Sequence, residues 1–130
     1  MILDSSAIVA VLRTEPEGPA FRKAIESAAR CRVSAVTYVE AAIVIDKGGD
    51  AIAVRRFDDF LRVSQTSIEA VTPEQARIAR QAYRDFGKGR HKAGLNFGDC
   101  FAYALAKDLD EPLLFKGKDF KHTDIEAVEY

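Results

Sequence analysis

The sequence predicts an α/β domain built on a short, mostly parallel sheet. Three observations carry that expectation. Short strand-like runs, Ile2–Leu3, Arg32–Ser34, Ser67–Val71 and Leu113–Phe115, alternate with longer segments of helical periodicity. Turn signals such as "TEPEG" and "GGD" separate them, with no linker, repeat or low-complexity tract. The 130 residues suffice for one core and one domain, 1–130, and the 48% apolar and 30% charged fractions are those of an ordinary globular chain.

Each element follows from local chemistry. Ile2–Leu3 reads as the end of a buried strand and Ser5–Leu12 as a helix capped by Asp4 or Ser5. Beyond "TEPEG", residues 19–29 resume as an amphipathic helix. Arg32–Ser34 form a second strand, and "AVTYVEAAIVIDK" a helix with Ser34 as its N-cap, stopped by Gly48 and Gly49. Ala51–Val63 are helical and Ser67–Val71 a strand. Pro73 opens a helix at its first turn, running to about Phe86. A basic, Gly-rich loop, "GKGRHKAGLNFG", precedes a helix over Asp99–Leu109 that is apolar on nearly all sides and therefore central. Leu113–Phe115 make a strand, "KGKDF" a turn, and Ile125–Val128 a last strand.

Composition narrows the function classes. No run approaches the roughly 20 apolar residues of a membrane span, and the apolar start lacks the basic n-region of a signal peptide. A cytoplasmic protein is expected. Cys31 and Cys100 lie in apolar surroundings without a short pair spacing and are expected to be reduced core thiols. The net charge of −1 excludes a bulk polyelectrolyte.

Four carboxylates break this ordinary pattern. Asp4 interrupts the apolar opening "MILDSSAIVAVL", where a buried ionised group needs a cap or a cation as partner. Glu40 is the only charged residue between Ala35 and Ile45. A Thr37-x-x-Glu40 capping box would explain it, but Ser34 is the better N-cap. Asp99 opens the apolar helix and reads equally as cap or ligand. Asp119, among Lys116, Lys118 and Lys121, reads by itself as a turn residue. In a parallel sheet, however, all four fall at carboxyl ends of strands or on the helices just after them, where functional groups gather. Crowded carboxylates must protonate, separate or share a cation, and an all-oxygen donor set suits Mg²⁺ or Mn²⁺ rather than zinc. His91 and His122 lie in polar loops and read as solvated surface.

These segments, "MILDSSAIVAVL", "SAVTYVEAA", "LNFGDCFAYALAKDL" and "PLLFKGKDFKHTDI", together resemble the PIN-domain family, and more narrowly the ribonuclease toxins of VapBC-type toxin–antitoxin pairs. The resemblance covers the whole chain and implies a three-layer α/β/α sandwich. It implies that Asp4, Glu40 and Asp99 hold a divalent ion, that Ser6 supports Asp4, and that a fourth acid completes the catalytic set. Many members carry that acid as T-x-D, where this chain reads Phe115-Lys116-Gly117, so Asp119 or Asp124 has to stand in. The implied activity is Mg²⁺-dependent endoribonuclease, with Mn²⁺ as substitute, held in check by an antitoxin. Homodimers, and larger assemblies with the antitoxin, are implied as well.

Charge placement agrees with an RNA substrate. Setting the four acids aside moves the formal total from −1 to +3. Lys88, Arg90 and Lys92 lead towards Asp99 and are expected to clamp phosphates; Arg13 and Lys116 are weaker candidates. The chain shows no obvious aromatic platform for single strands, which favours structured RNA. Two rival classes remain: a catalytically inactive PIN-like interaction module, and a phosphoacceptor domain. The second lacks the paired acids expected after the first strand.

Overall fold

Strand β1, Ile2–Leu3, presents one side chain to each face of the sheet, and both are fully buried. A strand covered on both sides belongs in the middle of a three-layer structure. The computed structural model, which describes all 130 residues from Met1 to Tyr130, places it there. The chain runs through β1, α1 (Ser5–Leu12), α2 (Gly18–Ser27), β2 (Arg32–Ser34), α3 (Ala35–Asp46), α4 (Ala51–Val63), β3 (Ser67–Glu69), α5 (Pro73–Phe86), α6 (Phe97–Leu109) and β4 (Leu113–Leu114). A short 3-10 turn follows at Asp119–His122.

The sheet order is β3-β2-β1-β4, and every pairing is parallel. Parallel crossovers are right-handed. The two that step outward from β1 to β2 and from β2 to β3 therefore leave their helices on one face, and the return to β4 leaves α5 and α6 on the other. The core divides accordingly. Leu3, Val33 and Leu114 pack with Ile8, Phe21, Ala41 and Phe57 on one side. Ile2 and Leu113 pack with Leu105, Ala102 and Ala79 on the other. Both cysteines are buried and free. No helix is long and apolar enough to cross a membrane.

The element boundaries follow their caps. Asp4 accepts from Ser6 N at the start of α1, Asp50 from Ile52 N at α4, and Thr72 from Gln75 N just before Pro73 at α5. Ser34 is the N-cap residue of α3, but its side chain makes no capping bond. The expected strand at Ile125–Val128 does not form. Only Ala127 bridges Leu113, with Leu113 N donating to Glu126 O and Val128 N to Leu113 O, too short a pairing to make a strand.

This order makes the site. The chain leaves β1 towards β2 and later arrives at β4 on β1's other side. A crevice therefore opens beyond the carboxyl ends of β1 and β4, where doubly wound sheets bind ligands. Asp4 follows β1 directly, and the loop carrying Lys116 and Asp119 follows β4.

Candidate active site

Asp4 is 3% exposed. One of its oxygens, Oδ2, accepts from Ser6 N at 3.0 Å and from the Ser6 hydroxyl. The other, Oδ1, is buried with no partner. Burial pushes the Asp4 carboxyl above its ordinary range, the Ser6 bonds draw it back, and Glu40 adds to the rise. Ser6 also accepts from Lys116 N at 3.0 Å, so one hydroxyl ties the end of β1 to the loop after β4.

Asp99 approaches from α6. That helix starts two residues before the expected Asp99, at Phe97, with Asn96 as its cap. The Asn96 side chain accepts from Asp99 N at 2.9 Å, and Asp99 Oδ2 accepts from Asn96 N at 3.0 Å, a reciprocal capping box. Asp99 is therefore the third helical residue rather than the cap, and its carboxyl is only partly consumed. It is pushed up to about 7, first by burial and then by the charges of Asp4, Glu40 and Asp119, against the lowering effect of the Asn96 bond.

Glu40 comes from the middle of α3, half-buried, with Oε1 accepting from the Ser5 hydroxyl. Its other oxygen lies against the backbone of Gly98, where a Cβ would stand 1.6 Å away. Glycine at 98 is what lets α3 and α6 bring Glu40 beside Asp99. The Thr37-x-x-Glu40 box is absent, because Thr37 lies inside α3 and its hydroxyl has no partner.

The two candidates for the fourth acid differ in placement. Gly117 has φ +103°, a backbone conformation that side chains disfavour, and the chain turns there. Asp119, exposed in the 3-10 turn beyond it, is close enough to raise the Asp99 carboxyl. Asp124 is engaged elsewhere: it accepts from Tyr103 Oη at 2.8 Å and pairs with Lys107 at 2.9 Å.

The donor set is all oxygen, with one buried acceptor unpartnered and the acids mutually repelling, which fits a hard dication. No three His, Cys, Asp or Glu side chains are already spaced to share one ion. Mg²⁺ needs no such cage: it commonly binds through one or two carboxylates and fills its shell with water and substrate phosphates. Asp4 and Asp99 are the first ligands this geometry offers.

A family profile described as the PIN domain matches residues 1–126. The chain belongs to the PIN-domain family. Within that family it is similar to ribonuclease VapC28 of Mycobacterium tuberculosis, at 49% identity over 129 residues that cover 98% of this chain and 97% of the relative. Among solved structures, VapC20 of M. tuberculosis, described as a Sarcin-Ricin loop cleaving toxin, superposes with a TM-score of 0.75 at 15% identity, covering 99% of this chain and 98% of that one. A toxin–antitoxin complex from Klebsiella pneumoniae gives 0.73, also at 15% identity, with 99% and 97% covered. At that identity the two structures speak for the three-layer fold alone.

The remaining candidates of this PIN domain separate by position. Lys88, Arg90 and Lys92 are exposed in the loop before α6, and none makes an ion pair. Arg90 lies over the Tyr83 ring, 5.8 Å from its centroid. Arg13 is the C-cap of α1, whose eight residues put it about 12 Å from the Asp4 end. It donates to Val44 O instead of facing the crevice. Lys116 reaches the crevice loop but spends its ammonium on Glu15 and Glu17. His91 accepts from Ala93 N and packs on the edge of Phe86, while His122 is exposed.

Three contributors had not been singled out from sequence. Asn96 could have been, since N-x-x-D before an apolar run has the form of a capping box. Ser5 and Gly98 act only through Glu40, which is distant in sequence, so no local pattern marks them.

Proposed function

We propose that this PIN domain is a metal-dependent endoribonuclease and the toxin of a toxin–antitoxin pair, adding water across phosphodiester bonds of structured RNA. The observation that carries the reading is the meeting of Asp4, Glu40, Asp99 and Asp119, with Asp99 raised to about 7 and Asp4 Oδ1 left without a partner. Relatives named ribonuclease at 49% identity over nearly the full length support it.

When bound, Mg²⁺ or Mn²⁺ supplies a Lewis acid that activates water and offsets charge on the scissile phosphate. Asp4 and Asp99 would hold the ion. Ser6 fixes the Asp4 rotamer through Oδ2, which leaves the buried Oδ1 without a partner and available to a cation. Ser5 and Gly98 fix Glu40 where it completes the acidic wall, directly or through water. Asp119, on the exposed turn after β4, is near enough to add its charge to that of Asp99.

A groove of about 610 Å³ between α1, α2 and α4, lined by Val11, Ile25, Phe60 and Val63 together with Arg22, Arg56, Glu26 and Asp59, is the surface we assign to the antitoxin. A homodimer, joined to antitoxin in the cytoplasm, is the assembly in which we place it.

Incubating the purified protein with total cellular RNA tests the reading. Cleavage is expected with Mg²⁺ or Mn²⁺ and not with EDTA, and Asp4→Asn or Asp99→Asn is expected to remove at least 100-fold of the rate while the variants remain folded. Intact RNA with every metal would instead make this an interaction module.

A further inference from the structure

Phe97 is 74% exposed, more than any other large apolar side chain in the molecule. A phenylalanine left in water at the start of a well-capped helix is unusual, and three features say what it faces. Its ring is held: Phe101 meets it edge-to-face with centroids 5.0 Å apart and planes at 67°, which orients it. It is next to the chemistry: the following residue, Gly98, is the one whose backbone the Glu40 carboxylate touches, and Asp99 comes one residue later. Consecutive Cα atoms are about 3.8 Å apart, so the backbone that carries the ring lies within one nucleotide's length of the acidic wall. It also adjoins unbalanced positive charge, since the loop that ends at Asn96 carries Lys88, Arg90 and Lys92 without acidic partners.

Cations, then an oriented aromatic face, then carboxylates suited to a dication form a sequence that matches a polynucleotide strand. Its phosphates need the first and third, and an unstacked base needs the second. We propose that Phe97 is a base-stacking residue, taking one unpaired base of the RNA beside the scissile phosphate, while the Lys88–Lys92 loop holds neighbouring phosphates. The inference rests on the ribonuclease reading and deepens it by naming the side chain that holds the base beside the cut. The sequence alone does not mark such a platform. Phe97 and Phe101 sit one helical turn apart in an apolar helix and look like core until the fold turns Phe97 outward.

The chain contains no tryptophan, so Phe97→Trp supplies a unique fluorophore at the proposed contact. The full-length variant is titrated, in Ca²⁺ in place of Mg²⁺ to hold back hydrolysis, with a short RNA single strand and with a duplex of the same length. The single strand should quench emission and the duplex should not. Phe97→Ala should bind the single strand about tenfold more weakly, in line with the value of one base–aromatic stack, with an unchanged melting temperature. Phe97→Leu, apolar but without a π face, should behave like the alanine variant. Single-strand binding by the wild type, with no quenching in Phe97→Trp and with Phe97→Ala equal to wild type, overturns the stacking role alone. A Phe97→Ala protein that changes its sedimentation coefficient while binding RNA normally overturns it too, because the ring would then seat on a second copy. Failure of the wild type to bind any strand overturns the ribonuclease reading along with it.

Discussion

The Asp99 carboxyl has two tasks. One oxygen closes the α6 capping box with Asn96 N, and the group as a whole faces Asp4, Glu40 and Asp119. Its folded value of about 7 lies above the ordinary 3.8, so the folded protein binds that proton more tightly than the unfolded chain. The resulting stabilisation is complete below about pH 4 and is lost as pH rises through about 7. Asp4, shifted the same way by burial, adds to the trend. In EDTA, the melting temperature of Asp99→Asn should therefore gain on that of the wild type between pH 5 and pH 8, because asparagine can still accept from Asn96 N. Saturating Mg²⁺ should narrow the gap. Parallel pH profiles for the two proteins in EDTA would show that the carboxyl is not raised. Gly98 makes a second residue-scale case. A methyl group there would stand 1.6 Å from Glu40 Oε2, yet that oxygen ends a flexible side chain, and alanine is the better helix former by about 1 kcal/mol. Gly98→Ala should consequently melt no lower than wild type while losing at least tenfold in RNA cleavage. A variant with full activity would mean that the position of Glu40 does not matter.

At the scale of elements, α1, α3 and α6 deliver the acids, and the loop before α6 delivers the cations. Asp4 begins α1, Glu40 sits mid-way along α3, and Asp99 lies in the first turn of α6. The Lys88–Lys92 loop is pinned at its base, where Lys88 N donates to Leu95 O and Leu95 N to Phe86 O, so its charges stay beside α6. Each phosphate contact contributes about 0.7–0.9 to the slope of log binding constant against log salt. Replacing Lys88, Arg90 and Lys92 by glutamine should thus flatten the slope for RNA by about 2 to 3, whereas Arg13→Gln, at the opposite end of α1, should leave it unchanged. Equal slopes for the triple variant and wild type would remove the loop from the RNA path. Most elements were legible beforehand because helix caps and apolar periodicity are local: α1, α4 and α5 take the expected bounds Ser5–Leu12, Ala51–Val63 and Pro73–Phe86. The C-terminal strand was not, since alternation over Ile125–Val128 cannot reveal that only Ala127 meets Leu113.

At the scale of the whole molecule, strand order β3-β2-β1-β4 converts four scattered acids into neighbours. That Asp4, Glu40 and Asp99 are anomalous could be read from the sequence, because each interrupts an apolar segment or opens one, whereas Asp119 reads there only as a turn residue. That they meet depends on the crossover to β4, which a sequence does not display, and the choice of Asp119 over Asp124 depends on the turn at Gly117. Arg13 and Lys116 illustrate the converse. Their charge was visible, but their partners, Val44 O for one and Glu15 and Glu17 for the other, were not. The central claim is that this meeting point is a dication site. Anomalous scattering from crystals soaked in Mn²⁺ tests it most directly. The account predicts one strong peak bonded to oxygens of Asp4 and Asp99, with Glu40 bonded directly or through water, and its loss in Asp99→Asn. A map with no peak in the crevice at saturating Mn²⁺, or with a peak that survives Asp99→Asn unchanged, would contradict it.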